Sequence, residues 1–218
     1  MLIDRAQRSA VLHGSGTADG ELLAHPVLAA LGIVAAHWAG WVPLHAGAVI
    51  LNGRAWGVLA ERSVGKSTTM ASLARAGHGI VTDDLLVIDD RLHAHAGPRS
   101  IDLRAESAVD FPEAEELRPD LHHERSRFRL TPGPVPASVP LAGFIRLEWS
   151  EDGVSTTPVR PVDRLAVIGH TYSVSARMKN PRLSLDLAAL PMYVVARPPR
   201  LSSIPETIAA LESLAAGA

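Results

Sequence analysis

Four side chains able to act on a phosphate stand close together along this chain: Lys66 and Ser67, in the run Gly65-Lys66-Ser67-Thr68, and the adjacent carboxylates Asp83 and Asp84. A lysine at such a place is a mobile cation for the β- and γ-phosphates of a nucleotide, and a serine hydroxyl beside it is a hard ligand for Mg²⁺. Phosphoryl transfer to a hydroxyl requires neutralised phosphate charge, a metal bridge and a carboxylate to accept the hydroxyl proton, with most of the barrier lowered by positioning and electrostatics. The run Glu61, Arg62, Ser63, Val64, Gly65, Lys66, Ser67 and Thr68 is suited to the first task, and Asp83 with Asp84 to the other two.

That chemistry needs a strand, a tight loop and a helix in succession, so that backbone N–H groups and the positive end of a helix dipole converge on one spot. Ala55 to Leu59 is an apolar strand-like run and Ser67 to Ala76 a helix-like one. Ala60 stands where the pattern G-x-x-x-x-G-K-[ST] has its first glycine, a position where positive φ suits glycine and strains alanine, which predicts an altered start to the loop. The loop is expected to be exposed, so that the fold survives loss of Lys66. The plain alternative is a chance tetrapeptide at a helix start. Asp83-Asp84 separates the strand-like runs Ile80-Val81-Thr82 and Leu85-Leu86-Val87-Ile88. Adjacent residues of an extended strand face opposite ways, so both carboxylates serve one site only where the strand ends or bends; otherwise they are a solvated strand end.

Further elements follow from patterning. Val27, Leu31, Val34 and Trp38 recur at helical spacing between Pro26 and Gly40, predicting a buried helix. Leu44 to Leu51 and Arg54 to Leu59 flank Asn52-Gly53, a strong hairpin signal that delivers the second strand into the loop. A short strand is expected near Ser100 to Leu103, acidic helix-tolerant residues at Glu113 to Glu116, and a loop over 119–140. Leu141 to Trp149 and Val154 to Val159 read as a second hairpin around Glu151-Asp152-Gly153, followed by helices at Pro161 to Thr171 and Ser184 to Leu190, a strand at Met192 to Ala196 and a closing helix at Ser203 to Leu214.

With 218 residues, 47% of them hydrophobic, the chain can bury one substantial core. A formal charge of −2 exerts no general pull on nucleic acid or anionic membrane, and the lack of cysteine excludes disulfides and fits a reducing compartment. The longest apolar stretch, Val27 to Ala36, is shorter than the ~20 residues of a spanning helix. The expectation is a cytoplasmic protein with no nucleic-acid or membrane partner; homo-oligomerisation is left open.

Leu44-His45-Ala46-Gly47-Ala48-Val49, then the Lys66 loop, then Gly77-His78-Gly79-Ile80-Val81-Thr82-Asp83-Asp84, together resemble the catalytic domain of the HPr kinase/phosphorylase family, including the 21 residues from His45 to Lys66 and the 17 from Lys66 to Asp83. The resemblance is specific over about residues 41–90. It implies an α/β fold, a mixed twisted sheet flanked by helices with a phosphate loop, of the kind shared by HPr kinase and phosphoenolpyruvate carboxykinase, with residues 1–40 packing on a catalytic domain of 41–218. It also implies ATP and Mg²⁺ as cofactors, Asp83 as base, Asp84 on the metal side and His45 hydrogen-bonded to Asp83. The alternative for His45 is a core residue. Asp102, in Ser100-Ile101-Asp102-Leu103-Arg104, lies where the family has an acidic metal ligand, with Glu106 as competitor; the glycines that should follow are missing, which argues against phosphorylase activity. With 44 residues before His45, the family's separate N-terminal domain is expected to be absent, which makes the chain similar to short HPr-kinase-like proteins that phosphorylate ribosomally made peptides such as lasso precursors.

The acceptor is accordingly expected to be a peptide or small protein bearing a Ser or Thr hydroxyl. A small hydroxylated metabolite is the first alternative, and a nucleotide-binding regulator without turnover the second. Arg125, Arg127 and Arg129 alternate and would share one face of an extended segment, either as a solvated edge or as a grip on an acceptor. His93 with His95, and His122-His123, lack a third partner at metal-ligand spacing, and Arg177, Lys179 and Arg182 form a second basic group.

Overall fold

A computed structural model describes residues 2–7, 9–11, 13, 27–117, 127–171 and 180–217. Its centre is a nine-stranded mixed sheet. Strand β3 (Val42–Leu44) is followed by the β4–β5 hairpin (Gly47–Leu51 and Arg54–Ala60), whose turn residues Asn52 and Gly53 both take positive φ, 49° and 74°. Two positive values are what a tight turn matching the right-handed strand twist requires. Helix α2 (Lys66–Arg75) follows, preceded in the chain by α1 (Leu28–Ala39), and the hairpin strands β1 (Leu2–Asp4) and β2 (Ser9–Val11) form a separate two-stranded sheet.

Strands β6 (Ile80–Thr82), β7 (Leu86–Ile88) and β8 (His93–His95) come next. β6 pairs with β4, whereas β7 pairs with β3 and β8, so the chain changes neighbours at Asp83-Asp84. The long strand β12 (Ser138–Trp149) organises the rest: β8 and then β14 (Met192–Arg197) share one of its edges, and β5 fills the other. The β5–β12 and β12–β14 pairings are parallel. A smaller sheet, ordered β10-β11-β9, combines β9 (Ile101–Arg104), β10 (Glu115–Glu116) and β11 (Arg127–Leu130), with the one-turn helix α3 (Ala105–Ala108) directly after β9.

Strand periodicity distributes apolar residues between two cores. Val49, Leu51, Trp56, Val58, Ile145, Leu147 and Val195 meet Met70 and Leu73 of α2 and Leu211 of the closing helix α6 (Ile204–Ala216). Ala48, Ala55, Leu59, Phe144 and Met192 point the other way, onto Ile168 of α4 (Pro161–Gly169) and Leu183 and Leu187 of α5 (Pro181–Ala189). A bulge between Leu141 and Gly143 resets the alternation of β12, which is why Ala142 and Ile145 reach the same core.

Five expectations change. The span 119–140, expected as a loop, contains strand β11 over Arg127–Leu130 and the start of β12 at Ser138. The second hairpin does not form: β13 (Ser155–Pro158) pairs with β14, which inserts beside β12. Strand β13 is Ser-Thr-Thr-Pro and exposed throughout, a composition for an edge, whereas the apolar β14 takes the place beside the central strand. The strand expected from Leu44 is broken at His45 and resumes at Gly47. Glu115–Glu116 is a short strand rather than helix, and in α1 only Ala36 is fully buried. No helix among the described residues is long and apolar enough to cross a membrane.

Candidate active site

Strand β5 hands the chain to the loop 61–65 at Ala60, which is not among the positive-φ residues and continues the ladder opposite Leu147. Alanine thus does not take the positive φ that the first glycine of the pattern allows, and the turn is made later, at Ser63 (φ 71°) and Gly65 (φ 78°). Positive φ on either side of Val64 is the sort of alternation that curls N–H groups into an anion-binding concavity. Gly65 is the N-cap of α2 and no side chain caps the first turn, so the unpaired N–H groups of Lys66, Ser67 and Thr68 open this helix end to an anion.

Asp83 and Asp84 sit where β6 ends, and their separation into buried and open positions follows from that corner. Asp83 is 2% exposed and the Asp84 side chain 40%. Lys66 Nζ donates to Asp83 Oδ1 at 2.7 Å, to the Asp83 carbonyl, and to Asp84 Oδ1 at 3.3 Å, while the Ser67 hydroxyl donates to Asp83 Oδ2 at 2.8 Å. Burial pushes the Asp83 carboxyl above its ordinary value, outweighing the Lys66 charge and the Ser67 hydrogen bond that pull it down. Burial opposes the Lys66 charge as well, but the two carboxylates outweigh it and hold the ammonium above the usual lysine range.

Lys66, Ser67 and Asp84 border an open cavity of about 310 Å³, whose wall includes His45, Arg62, Asp102, Arg104, Ser107 and Arg127, whereas Asp83 lies behind them and lines a small neighbouring cleft with Asp84 and Ser100. Of the loop residues 61–68, Val64 alone turns away and packs on the core. A larger cavity of about 520 Å³ lies at the far end of α2 among Ser72, Arg75, Phe111, Ile204 and Ile208, away from the carboxylate pair. The small sheet is tied to the Lys66 loop and the first turn of α2 by Arg104 donating to Ser63 Oγ (3.3 Å) and Thr68 Oγ1 donating to Ser107 Oγ (3.1 Å).

His45 faces the cavity, but its ring is exposed and makes no hydrogen bond to Asp83, whose two carboxylate oxygens accept from Lys66 and Ser67. Asp102 also reaches the wall, yet both its oxygens accept from Arg129, at 2.7 and 2.9 Å, with the two side chains 9% and 13% exposed. Asp102 thereby fastens β9 to β11 instead of presenting free oxygens to a metal, and Arg129 is a strut rather than a grip. Glu106 is not on the cavity wall. Arg127 is exposed and stands opposite Arg104 in the strand register; Arg125, His122, His123, Arg177 and Lys179 lie outside the described residues. His93 and His95 flank Asp89, with His95 Nε2 3.0 Å from Asp89 Oδ2 and its ring stacked on Trp41. No group of three or more His, Cys, Asp or Glu arranged for a metal occurs among the described residues.

Two supporting residues escaped the sequence reading. Arg197, at the end of β14, is buried beneath Gly65, and its guanidinium lies 4.4 Å over the Trp149 ring. Strand alternation carried the signal, since Tyr193, Val195 and Arg197 share the core face of β14.

No protein-family model matches the chain, and no curated protein does. Solved structures do match, among them one described as the Hpr(Ser) kinase/phosphatase from Coxiella burnetii, at 13% identity and a TM-score of 0.39, over 78% of this chain and 95% of that one.

Proposed function

We propose that this chain is a Mg-ATP-dependent kinase that phosphorylates a Ser or Thr hydroxyl on a peptide or small protein, with a ribosomally made precursor peptide of the lasso type as the expected acceptor. The observation that carries the reading is the buried Asp83 carboxylate held by Lys66 and Ser67 at the uncapped start of α2, beside an open cavity. The order and spacing of His45, Lys66 and Asp83, which resemble the HPr kinase family, support it; the reading places the protein in the cytoplasm, where Mg-ATP is available.

In the ligand-free arrangement Lys66 is turned onto Asp83. A γ-phosphate at the loop offers Lys66 a second anionic partner, and movement toward it frees Asp83 Oδ1 and removes the charge that lowers the carboxyl's affinity for a proton. Asp83 then accepts the proton of the acceptor hydroxyl as that oxygen bonds to the γ-phosphorus and the bond to the bridging oxygen breaks, releasing ADP. Ser67 and the open Asp84 fit a Mg²⁺ site in which few protein oxygens are supplemented by phosphates and water, and the ion would neutralise phosphate charge. The N–H groups of α2 and the Lys66 ammonium hold the phosphates, and burial of Asp83 keeps bulk water from its reactive oxygen.

The test is mass spectrometry of candidate peptides incubated with Mg-ATP, beside a panel of hydroxylated metabolites including free serine. Phosphate is expected on a peptide hydroxyl, with Asp83→Asn about 10²-fold slower and nucleotide binding retained. Phosphate appearing only on a metabolite overturns the acceptor, and nucleotide binding without transfer to any acceptor overturns the kinase in favour of a regulator.

A further inference from the structure

Arg197 is the most deeply buried cation of the described chain, 2% exposed, and it has no carboxylate partner. Its contacts are all neutral: Nη1 to the Pro198 carbonyl (3.4 Å) and Ser203 Oγ (3.5 Å), Nη2 to Thr69 Oγ1 (3.3 Å), and the guanidinium plane over Trp149. Nε has no partner at all. Three long hydrogen bonds and a cation–π contact are poor compensation for a guanidinium removed from water. Burial lowers its pKa to about 10, so it remains charged at neutral pH.

Its position explains what such a charge is for. Nη2 lies 2.6 Å from where a Cβ on Gly65 would stand, and Thr69, which it touches, is in the first turn of α2. Gly65 therefore serves twice: it takes the positive φ of the loop, and its missing side chain lets the guanidinium press against the loop's underside. Arg197 does not line the cavity, so it meets a ligand only through the backbone of the loop.

We propose that Arg197 is a positioning residue that supplies a buried positive charge beneath the anion-binding loop, its missing counter-charge being the phosphate group that the loop receives. The inference rests on the reading of residues 61–68 as a phosphate loop. It adds that the site's affinity for a polyanion comes from two cations on opposite sides of the loop: Lys66, which touches the ligand, and Arg197, which does not. It also makes the ligand-free protein the strained state, with an uncompensated charge inside, and the anion-bound protein the relaxed one.

The experiment titrates inorganic pyrophosphate into wild-type protein and into Arg197→Met, Arg197→Lys and Lys66→Ala, reading the dissociation constant by calorimetry and Tm with and without the ligand. A unit charge across one thickness of loop at an effective dielectric of ~20 is worth about tenfold or more in anion affinity. Arg197→Met is therefore expected to bind pyrophosphate about tenfold more weakly and to show a smaller ligand-induced rise in Tm, while its ligand-free Tm stays at or above wild type, since an apolar side chain of similar length replaces an uncompensated charge. Arg197→Lys is expected to restore most of the affinity. A merely structural arginine gives the opposite signs, a lower ligand-free Tm with unchanged affinity in whatever Arg197→Met folds, and that result overturns the inference. Should Arg197→Met fail to fold, wild-type affinity in Arg197→Gln, which keeps a polar amide in the same channel without the charge, overturns it equally. Lys66→Ala separates the two readings: if wild type binds pyrophosphate no better than Lys66→Ala, the loop is not the anion site and the parent reading fails, whereas a Lys66-dependent affinity indifferent to residue 197 sinks this inference alone.

Discussion

Lys66→Ala tests the site through stability before any substrate is known. The side chain is 11% exposed and ends 2.7 Å from a carboxylate that is 2% exposed, so the substitution leaves Asp83 buried with the Ser67 hydroxyl as its remaining side-chain donor. Removing one partner of a buried pair costs about 3–5 kcal/mol, and the opening of this pair toward a cavity puts the cost near the lower end, about 3 kcal/mol. In a chain of this size that corresponds to a Tm lowered by about 6–12 °C. The loss is pH-dependent with a definite sign. Without Lys66 the strongest influence lowering the Asp83 pKa is gone, so the folded-state value rises further above the ~3.9 of an unfolded aspartate. A carboxyl raised in this way contributes fully below the unfolded pKa, and its contribution is lost as pH climbs through the folded value. Melts of wild type and Lys66→Ala at pH 4.5 and 7.5 should thus differ little at the lower pH and by the full amount at the higher, and adding Asp83→Asn to Lys66→Ala should recover most of the difference at pH 7.5. An equal deficit at both pH values, or no recovery in the double variant, would refute the buried-pair account. The fold is still expected to survive, as the sequence suggested, but at this cost, because the Lys66 side chain is only 11% exposed.

Two further outcomes follow from the site's geometry. His45→Ala should leave Tm within about 1 °C, because the ring is exposed, and should lower turnover up to about tenfold through a lost ligand contact while the acid limb of the pH–rate profile stays above the usual carboxylate range, where the raised Asp83 pKa sets it; a shifted limb would show that the ring reaches Asp83 during turnover. Asp102→Asn should cost about 2–3 kcal/mol, measured by urea denaturation, because it unbalances the bidentate Arg129 pair that joins β9 to β11, while the Mg²⁺ concentration for half-maximal rate stays unchanged; a raised Mg²⁺ requirement would return Asp102 to the metal.

The parts legible in the sequence were those encoded over short spans. Asn52-Gly53 prescribes a turn by its φ preferences, apolar alternation marks β4 and β5, and the same few residues that make a loop also cap a helix, so the β5–loop–α2 unit could be drawn before any tertiary contact was known. Pairings between distant segments were not legible, because alternation states which face a residue takes and not which strand lies beside it. Strand β14 displacing β13 from β12 is one case, and Arg129 claiming Asp102 across 27 residues is another. His45 shows a third limit: its position in the chain placed it at the cavity, but the partner assigned to it was already taken by nearer donors.

The way β12 unites the sheet also fixes when during synthesis the site can exist. Strand β5 and the loop it feeds leave the ribosome well before the strand that flanks β5, which begins at Ser138, and before the arginine that lies beneath Gly65, at position 197. Parallel pairing across so long a stretch of chain is slow to form, since the intervening segment must be closed into a loop before any contact rewards it. A nascent chain therefore carries the Lys66 loop without the scaffold that shapes it until β12 and β14 follow, and a product interrupted before β14 has all the residues of the sequence motif but lacks both the second strand against β12 and the buried cation. The finished shape of the Lys66 loop thus reports that β12 and β14 have both been made and have docked.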